Sequence, residues 1–262
     1  MGSLDGKIAI ITGAGSGIGK ATALQFADQG ASVVLVGRRE PPLLQTASEI
    51  EKADGTVMVH RADLEEGDAA DEVVSATLKR FGRVDILVNN AGHSSRVRSM
   101  KYVGIDEWQS VFKVNVEAVY RITQAAVTDM LKRREGTVIT VSSVAALTPG
   151  LLGGAPYSAA KAASLNMMRG MNSELRAEGI RACAIMPAEV DTPILNNRPL
   201  PPNGEARSTM MGADDVADAI VLCAAMPHRT IVSEIVLMPT QPRDTSKDLE
   251  AASKIISPDQ QF

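Results

Sequence analysis

Residues 7–36 leave little choice of architecture. Lys7-Ile8-Ala9-Ile10-Ile11-Thr12 is a short apolar run, the pattern of a strand buried on both faces. Gly13-Ala14-Gly15-Ser16-Gly17-Ile18-Gly19 follows it directly. Residues 20–29 then carry helical spacing, with Ala21, Leu24, Phe26 and Ala27 apolar, and Gly30 supplies a C-terminal stop. Ser32-Val33-Val34-Leu35-Val36 reads as the next strand. Strand, glycine loop, helix and strand make a βαβ unit, whose two strands are parallel. The glycines let the loop turn tightly and bring backbone N–H groups against a phosphate, and the helix N-terminus adds a positive dipole end. The strict G-x-G-x-x-G spacing fails; Gly13, Gly17 and Gly19 give G-x-x-x-G-x-G instead. Gly13, Gly15, Ser16, Gly17, Ile18 and Gly19 are therefore candidate cofactor contacts, with a generic glycine turn as the alternative.

An NAD site usually has Asp or Glu at the end of the second strand, for the ribose hydroxyl. This chain has Gly37-Arg38-Arg39-Glu40 there. A missing carboxylate and an arriving guanidinium suit a 2′-phosphate, so NADP(H) is the expected cofactor, NAD(H) being possible. Arg38, nearer the strand end, is preferred over Arg39; ordinary surface arginines are the alternative.

The alternation continues along the chain. Residues 43–53 are expected to be helical, 56–60 a strand, 68–81 a helix and 84–88 a fourth strand, with Asn89-Asn90-Ala91-Gly92 leaving its end. Residues 106–130 form a long helical stretch. It contains Asn115, a poor helix-interior residue because its amide competes for backbone groups. An exposed, tolerated Asn is the plain reading, and a role for that amide or a local kink is the sharper alternative. Residues 136–143 read as a strand ending in Ser142-Ser143, 157–178 as a helix, 180–186 as a strand, 214–226 as the last good helix and 231–238 as a seventh strand. Residues 196–211 are polar and Pro-rich, the composition of a lid, placed at about 194–212. Residues 1–240 are expected to form one domain and 241–262 a tail, extended or disordered.

Composition removes several function classes. The net charge of −4 comes without a basic block, so no nucleic-acid surface is indicated. Aromatics are 3% against 45% hydrophobic residues, so the core is aliphatic. Cys183 and Cys223 lie in apolar surroundings without metal-ligand spacing, as buried free thiols in a reducing compartment would. His60, His93 and His228 form no ligand motif, and no metal is expected. Residues 1–7 lack the apolar region of a signal peptide, and Gly and Pro break the longest uncharged run, 136–160. A cytoplasmic protein without membrane attachment is expected.

Tyr157-Ser158-Ala159-Ala160-Lys161 puts a phenol and an ammonium four residues apart, on one helix face. A cation nearby favours the ionised phenol, and a Tyr of lowered pKa can pass a proton at neutral pH. Together with the other motifs, this stretch resembles the short-chain dehydrogenase/reductase family over about residues 5–238. Thr12-Gly13 through Gly17-Ile18-Gly19 is similar to its cofactor loop, and Asn89-Asn90-Ala91-Gly92 to its fourth-strand motif. Asp63-Leu64 resembles its adenine-contacting pair, and Asn115, Ser143, Tyr157 and Lys161 fall where its catalytic tetrad lies. Ser143 rather than Ser142 precedes the small-residue run Val144-Ala145-Ala146. Pro187-Ala188 stands where the family usually has Pro-Gly, and Val190 and Thr192 match its carboxamide-contacting positions.

The resemblance implies a single-domain α/β, Rossmann-like doubly wound fold with a seven-stranded parallel sheet, and a homotetramer or homodimer. It implies NADP(H)-dependent interconversion of a secondary alcohol and a ketone or aldehyde. Tyr157 would be the general acid/base, Lys161 would lower its pKa and hold the ribose, Ser143 would orient the substrate oxygen, and Asn115 would support a water-linked proton path. Asn89, Ala91, Gly92, Pro187, Val190 and Thr192 would join the glycine loop, Arg38, Arg39, Asp63 and Leu64 around the cofactor. A sugar-nucleotide epimerase or dehydratase and a non-catalytic NADP-binding sensor are the alternatives. For the small-molecule substrate, Leu147, Leu151 and Leu152 suggest an apolar wall. His93, Arg96, Arg98 and Arg198 are expected mostly on the solvated surface, a contact to a carboxylate being the alternative.

Overall fold

The computed structural model describes residues 2–260. The chain alternates as β1 (Ile8–Thr12), α1 (Gly17–Asp28), β2 (Ser32–Gly37), α2 (Glu40–Lys52), β3 (Val57–Arg61), α3 (Ala69–Phe81) and β4 (Ile86–Asn89). It goes on through α4 (Ile105–Phe112), α5 (Ala118–Arg133), β5 (Gly136–Val141), α6 (Ala155–Leu175) and β6 (Ile180–Pro187). Short α7 (Gly204–Ser208), α8 (Ala213–Ala225), β7 (Glu234–Leu237) and α9 (Ser246–Lys254) complete it. The strands form one sheet in the order β3-β2-β1-β4-β5-β6-β7, and every pairing is parallel.

The apolar runs are continuous because both faces of the sheet are covered. Successive residues serve opposite cores. Ala9 and Ile11 of β1, Val33 and Leu35 of β2, and Cys183 and Ile185 of β6 pack with Phe26 of α1, Leu43 and Ile50 of α2 and Ile220 of α8. Ile10, Val34, Val36, Ala182, Ala184 and Met186 face the other way, onto Val73 of α3, Ile122 and Met130 of α5 and Met168 of α6. Cys183 and Cys223 are both buried and free. Strand order reverses between β1 and β4, so the loops leaving those strands diverge and open a crevice at the C-terminal edge of the sheet.

One stretch carries the local distortion raised for Asn115, and two differ from what local pattern suggests. The helix over 106–130 is interrupted: Lys113–Glu117 is a π-helical turn between α4 and α5. The polar 196–211 stretch is folded. It holds a 3-10 turn (Pro193–Asn197) and α7, and Met211 forms a bridge with Val190. Arg198 pairs with Glu189, and Arg207 with Asp191. The tail is neither extended nor unstructured through its described part: it carries α9, with Ala252 fully buried and Asp248 8% exposed. Gln261 and Phe262 lie outside the described residues. Among the described residues no helix is long and apolar enough to cross a membrane.

Candidate active site

A cleft of about 860 Å³ opens at the β1/β4 crevice and runs along the C-terminal ends of β5 and β6. Its floor is built by backbone economy. Thr12, at the end of β1, accepts hydrogen bonds on its hydroxyl from the N–H groups of Asn90 and Ala91, both at 2.9 Å, and donates to the Val88 carbonyl at 3.3 Å. Asn90 in turn donates its amide to the Thr12 carbonyl at 2.9 Å. One strand end thus locks the neighbouring loop against the glycine loop. Gly13 has φ +67°, and a Cβ on Gly19 would stand 2.4 Å from the Gly13 carbonyl oxygen. No larger residue fits there without moving backbone. Ser16 caps α1 in extended conformation, and its side chain bonds none of the first-turn N–H groups. Those donors and the helix dipole therefore face the cleft without a side-chain competitor, which is the donor set a pyrophosphate requires.

The π-helical turn presents Asn115. Its amide donates to the Val111 carbonyl, four residues back, at 2.9 Å, and to the His93 carbonyl at 3.0 Å. The first bond ties the amide back to its own helix, one turn before the π turn. The Asn115 Oδ1 is buried and has no protein partner among the described residues. Lys161 is 6% exposed and donates from Nζ to the Val141 carbonyl at 2.8 Å. Burial lowers its pKa from 10.5 to about 8. Its Nζ lies 5.6 Å from the centre of the Tyr157 ring. Ser143 accepts from the N–H of Ala145 at 3.2 Å and donates to the Pro187 carbonyl at 3.4 Å.

Tyr157 departs from the sequence expectation. Burial raises its pKa above the ordinary 10, and a hydrogen bond with Ser143 followed by the charges of Arg198 and Arg98 only partly offsets that. Lys161 is not among the charges that lower it. The phenol is therefore held in its protonated form at neutral pH.

The cleft gathers Gly13, Ser16, Gly17, Ile18, Arg38, Arg39, Ala91, Gly92, Asn115, Ser143, Tyr157, Lys161, Pro187, Val190 and Thr192 along one wall or another. Other expected contacts stand back from it. Gly15 faces α2, where a Cβ would meet Pro42 at 2.9 Å. Asn89 turns into the core, donating to the hydroxyls of Thr123 and Thr140. Asp63 caps the N–H of Glu65 and lies 3.9 Å from Arg38, and Leu64 packs against the α3/α5 core. Arg38 itself pairs with Glu65 at 3.1 Å. Of the three leucines expected in the wall, Leu152 lines it, while Leu147 is 45% exposed. Asn90 and Thr12 belong to the quoted motifs but were not among the expected cofactor contacts, and sequence reasoning missed Glu189 and Arg243. The alternation of side chains along β4 was the available signal for Asn90: its neighbour belongs to the strand and faces the sheet interior.

A parallel sheet with a phosphate-suited loop at its switch point, opening on a buried Lys and a half-buried Tyr, defines a nucleotide-dependent oxidoreductase. The sequence model described as short chain dehydrogenase matches residues 7–201, and the chain belongs to that family. Members of this family bind a nicotinamide cofactor. An uncharacterized oxidoreductase of Staphylococcus epidermidis is 32% identical over 239 residues, covering 91% of this chain and all of its own. A 3-oxoacyl-[acyl-carrier-protein] reductase of Thermotoga maritima is 33% identical over 242 residues, covering 89% of this chain and 96% of its own. Among solved structures, a metagenomic short-chain oxidoreductase in complex with NADP is 31% identical and superposes with a TM-score of 0.79 over 92% of this chain and 100% of its own. Levodione reductase superposes at 0.82 with 26% identity, over 90% of this chain and 96% of its own.

Proposed function

We propose that this oxidoreductase reduces a ketone or aldehyde to an alcohol, and runs the reverse, with NADP(H). The observation that carries the reading is the convergence of Asn115, Ser143, Tyr157 and Lys161 on one cleft with the glycine loop and two arginines. The cofactor supplies the hydride chemistry; the protein supplies position and charge. Tyr157, kept protonated by burial, gives its phenolic proton to the carbonyl oxygen. Ser143 hydrogen-bonds the same oxygen and sets its distance from the phenol. Lys161 holds the ribose and replaces the proton that Tyr157 spends; its pKa of about 8 lets it give one up near neutrality. Asn115 offers its unpartnered Oδ1 to a water on that path. Gly13, Ser16, Gly17 and Ile18 take the pyrophosphate, and Arg38 and Arg39 the 2′-phosphate.

Homologues named as a metagenomic NADP complex and as a 3-oxoacyl reductase support the cofactor and the carbonyl chemistry. The test is Tyr157→Phe assayed on a panel of ketones and aldehydes. Loss of about 10²–10⁴ in kcat is expected, with NADPH binding retained by fluorescence titration. Undiminished turnover in that variant would remove Tyr157 as the acid.

A further inference from the structure

Arg98 is a buried cation with no salt-bridge partner among the described residues. It is 2% exposed, it lines the cleft, and among the described residues it forms no ion pair. Its hydrogen bonds all go to neutral acceptors: the Ser95 carbonyl at 3.2 Å, the Leu152 carbonyl, and the Ser94 hydroxyl at 3.2 Å. A guanidinium carries five N–H donors, so two remain unspent. Burial first, and then the neighbouring charge of Arg198, depress its pKa to about 10 against the opposing pull of Asp248, Tyr157 and Glu189, which still leaves it charged at neutrality. Carboxylates beyond ion-pair distance compensate such a charge only in part, and a buried cation left without a direct partner is expensive.

Its position is as telling as its charge. The Arg98 carbonyl accepts the N–H of Ala155, the first residue of α6, at 2.9 Å. Gly154, with φ +87°, packs so closely that a Cβ there would lie 2.8 Å from the Arg98 Cβ. Arg98 is thus seated against the first turn of the helix whose third residue is Tyr157. In the same cleft, Glu189 is shared by Arg198 at 2.6 Å and Arg243 at 2.9 Å, and Arg243 also holds Asp248 at 2.8 Å. Three arginines face two carboxylates at this end of the cleft, and the unmatched positive charge is the one beside Tyr157.

We propose that Arg98, with Arg198 lining the same cleft, is a carboxylate-binding subsite, and that the substrate is an oxo acid reduced to the corresponding hydroxy acid. The inference rests on the carbonyl-reductase reading above and names its substrate class. The reaction keeps that balance: the oxo carbon gains the hydride of the reduced cofactor, its oxygen gains the Tyr157 proton, and the carboxylate stays unchanged on Arg98. The competing role is purely structural, with Arg98 tying down the loop before α6 through the Leu152 carbonyl.

The deciding experiment compares 4-oxopentanoate and 3-oxobutanoate with their methyl esters, using NADPH and wild-type enzyme. A charge-assisted bond to one carboxylate predicts a preference of about ten- to hundredfold in kcat/KM for the acids. In Arg98→Gln that ratio is expected to fall to near unity, with Arg98→Lys intermediate because the charge survives and the fork is lost. Pentanoate, which has no carbonyl to reduce, is titrated in parallel by calorimetry; it is expected to bind wild type and not Arg98→Gln. Reduction of acids and esters with equal kcat/KM overturns the subsite and leaves the reductase reading standing. Arg98-dependent pentanoate binding without reduction of any carbonyl keeps the subsite and sinks the reductase reading. Should Arg98→Gln fail to fold, the wild-type acid-to-ester ratio decides by itself.

Discussion

Tyr157 and Lys161 sit four residues apart on α6, yet their electrostatics are not those of a simple cation–phenol pair. Each loses hydration, and that loss is the first cause of both shifts: the phenol upward, the ammonium down to about 8. A Lys whose folded pKa lies below its unfolded value binds fewer protons when folded, so stability rises with pH through that window. Below pH 8 the cost of burying the charge is fully present; between about 8 and 10 it is relieved. Lys161→Met in the cofactor-free protein is therefore expected to be more stable than wild type at pH 7, by up to about 3 kcal/mol before the lost Val141 bond is counted. The advantage should fade by pH 10, as urea titrations across that range would register. Arg38 makes a second test at this scale. It stands where a carboxylate would select NADH, and Glu65 holds it at 3.1 Å. Arg38→Asp is expected to lower kcat/KM for NADPH about tenfold or more, with NADH gaining relative to it, as paired coenzyme assays would read.

Helical elements here place chemistry by their irregularities. The π-helical turn Lys113–Glu117 carries Asn115 at the cleft, and the Asn115 amide donates back to the carbonyl of Val111. Asn115→Ala removes the side-chain donor to both the Val111 and His93 carbonyls. A loss of about 1–3 kcal/mol is expected for unpairing these buried acceptors, together with a fall in turnover, measured by denaturant unfolding and steady-state rates. A neutral effect on stability would show that water replaces the amide at no cost. The glycine loop works by exclusion rather than by flexibility. At Gly19 any side chain meets Gly13 and Asn90 at 2.4 Å, so Gly19→Ala is expected to abolish cofactor binding and lower Tm by several degrees, about 1–2 kcal/mol for a chain of this size.

At the scale of the whole molecule, the segment after β7 closes one end of the cleft. Gln241, Pro242 and Arg243 line it, and Arg243 bridges Glu189 on the β6 side to Asp248 of α9. With its side chain only 10% exposed, this bridge is shielded from solvent screening. Arg243→Met leaves Glu189 its partner Arg198 but strips Asp248 of its ion pair among the described residues. A cost of about 3 kcal/mol is expected by the energetics of half-broken buried pairs, with a rise in substrate KM as the C-terminal arm loosens. Unchanged Tm and KM in that variant would mean the arm is held by apolar contacts of α9 alone.

The order of elements, the parallel sheet and the glycine loop were legible in the residues, because apolar runs, helical spacing and turn glycines are local signals with one physical meaning each. The Tyr–Lys spacing was equally local, and so was Arg38 at the end of its strand. What tertiary structure decided was everything that depends on which groups share a cavity. Asn90, not Asn89, reaches the cleft because the sheet turns its neighbour inward. Arg98 looked like solvated surface in the sequence and is instead buried beside Tyr157. The tail looked aperiodic, yet Arg243 folds it back onto Glu189, some fifty positions away in the chain. Hydration, and with it charge and pKa, is a property of the packed neighbourhood, and no run of adjacent residues encodes it.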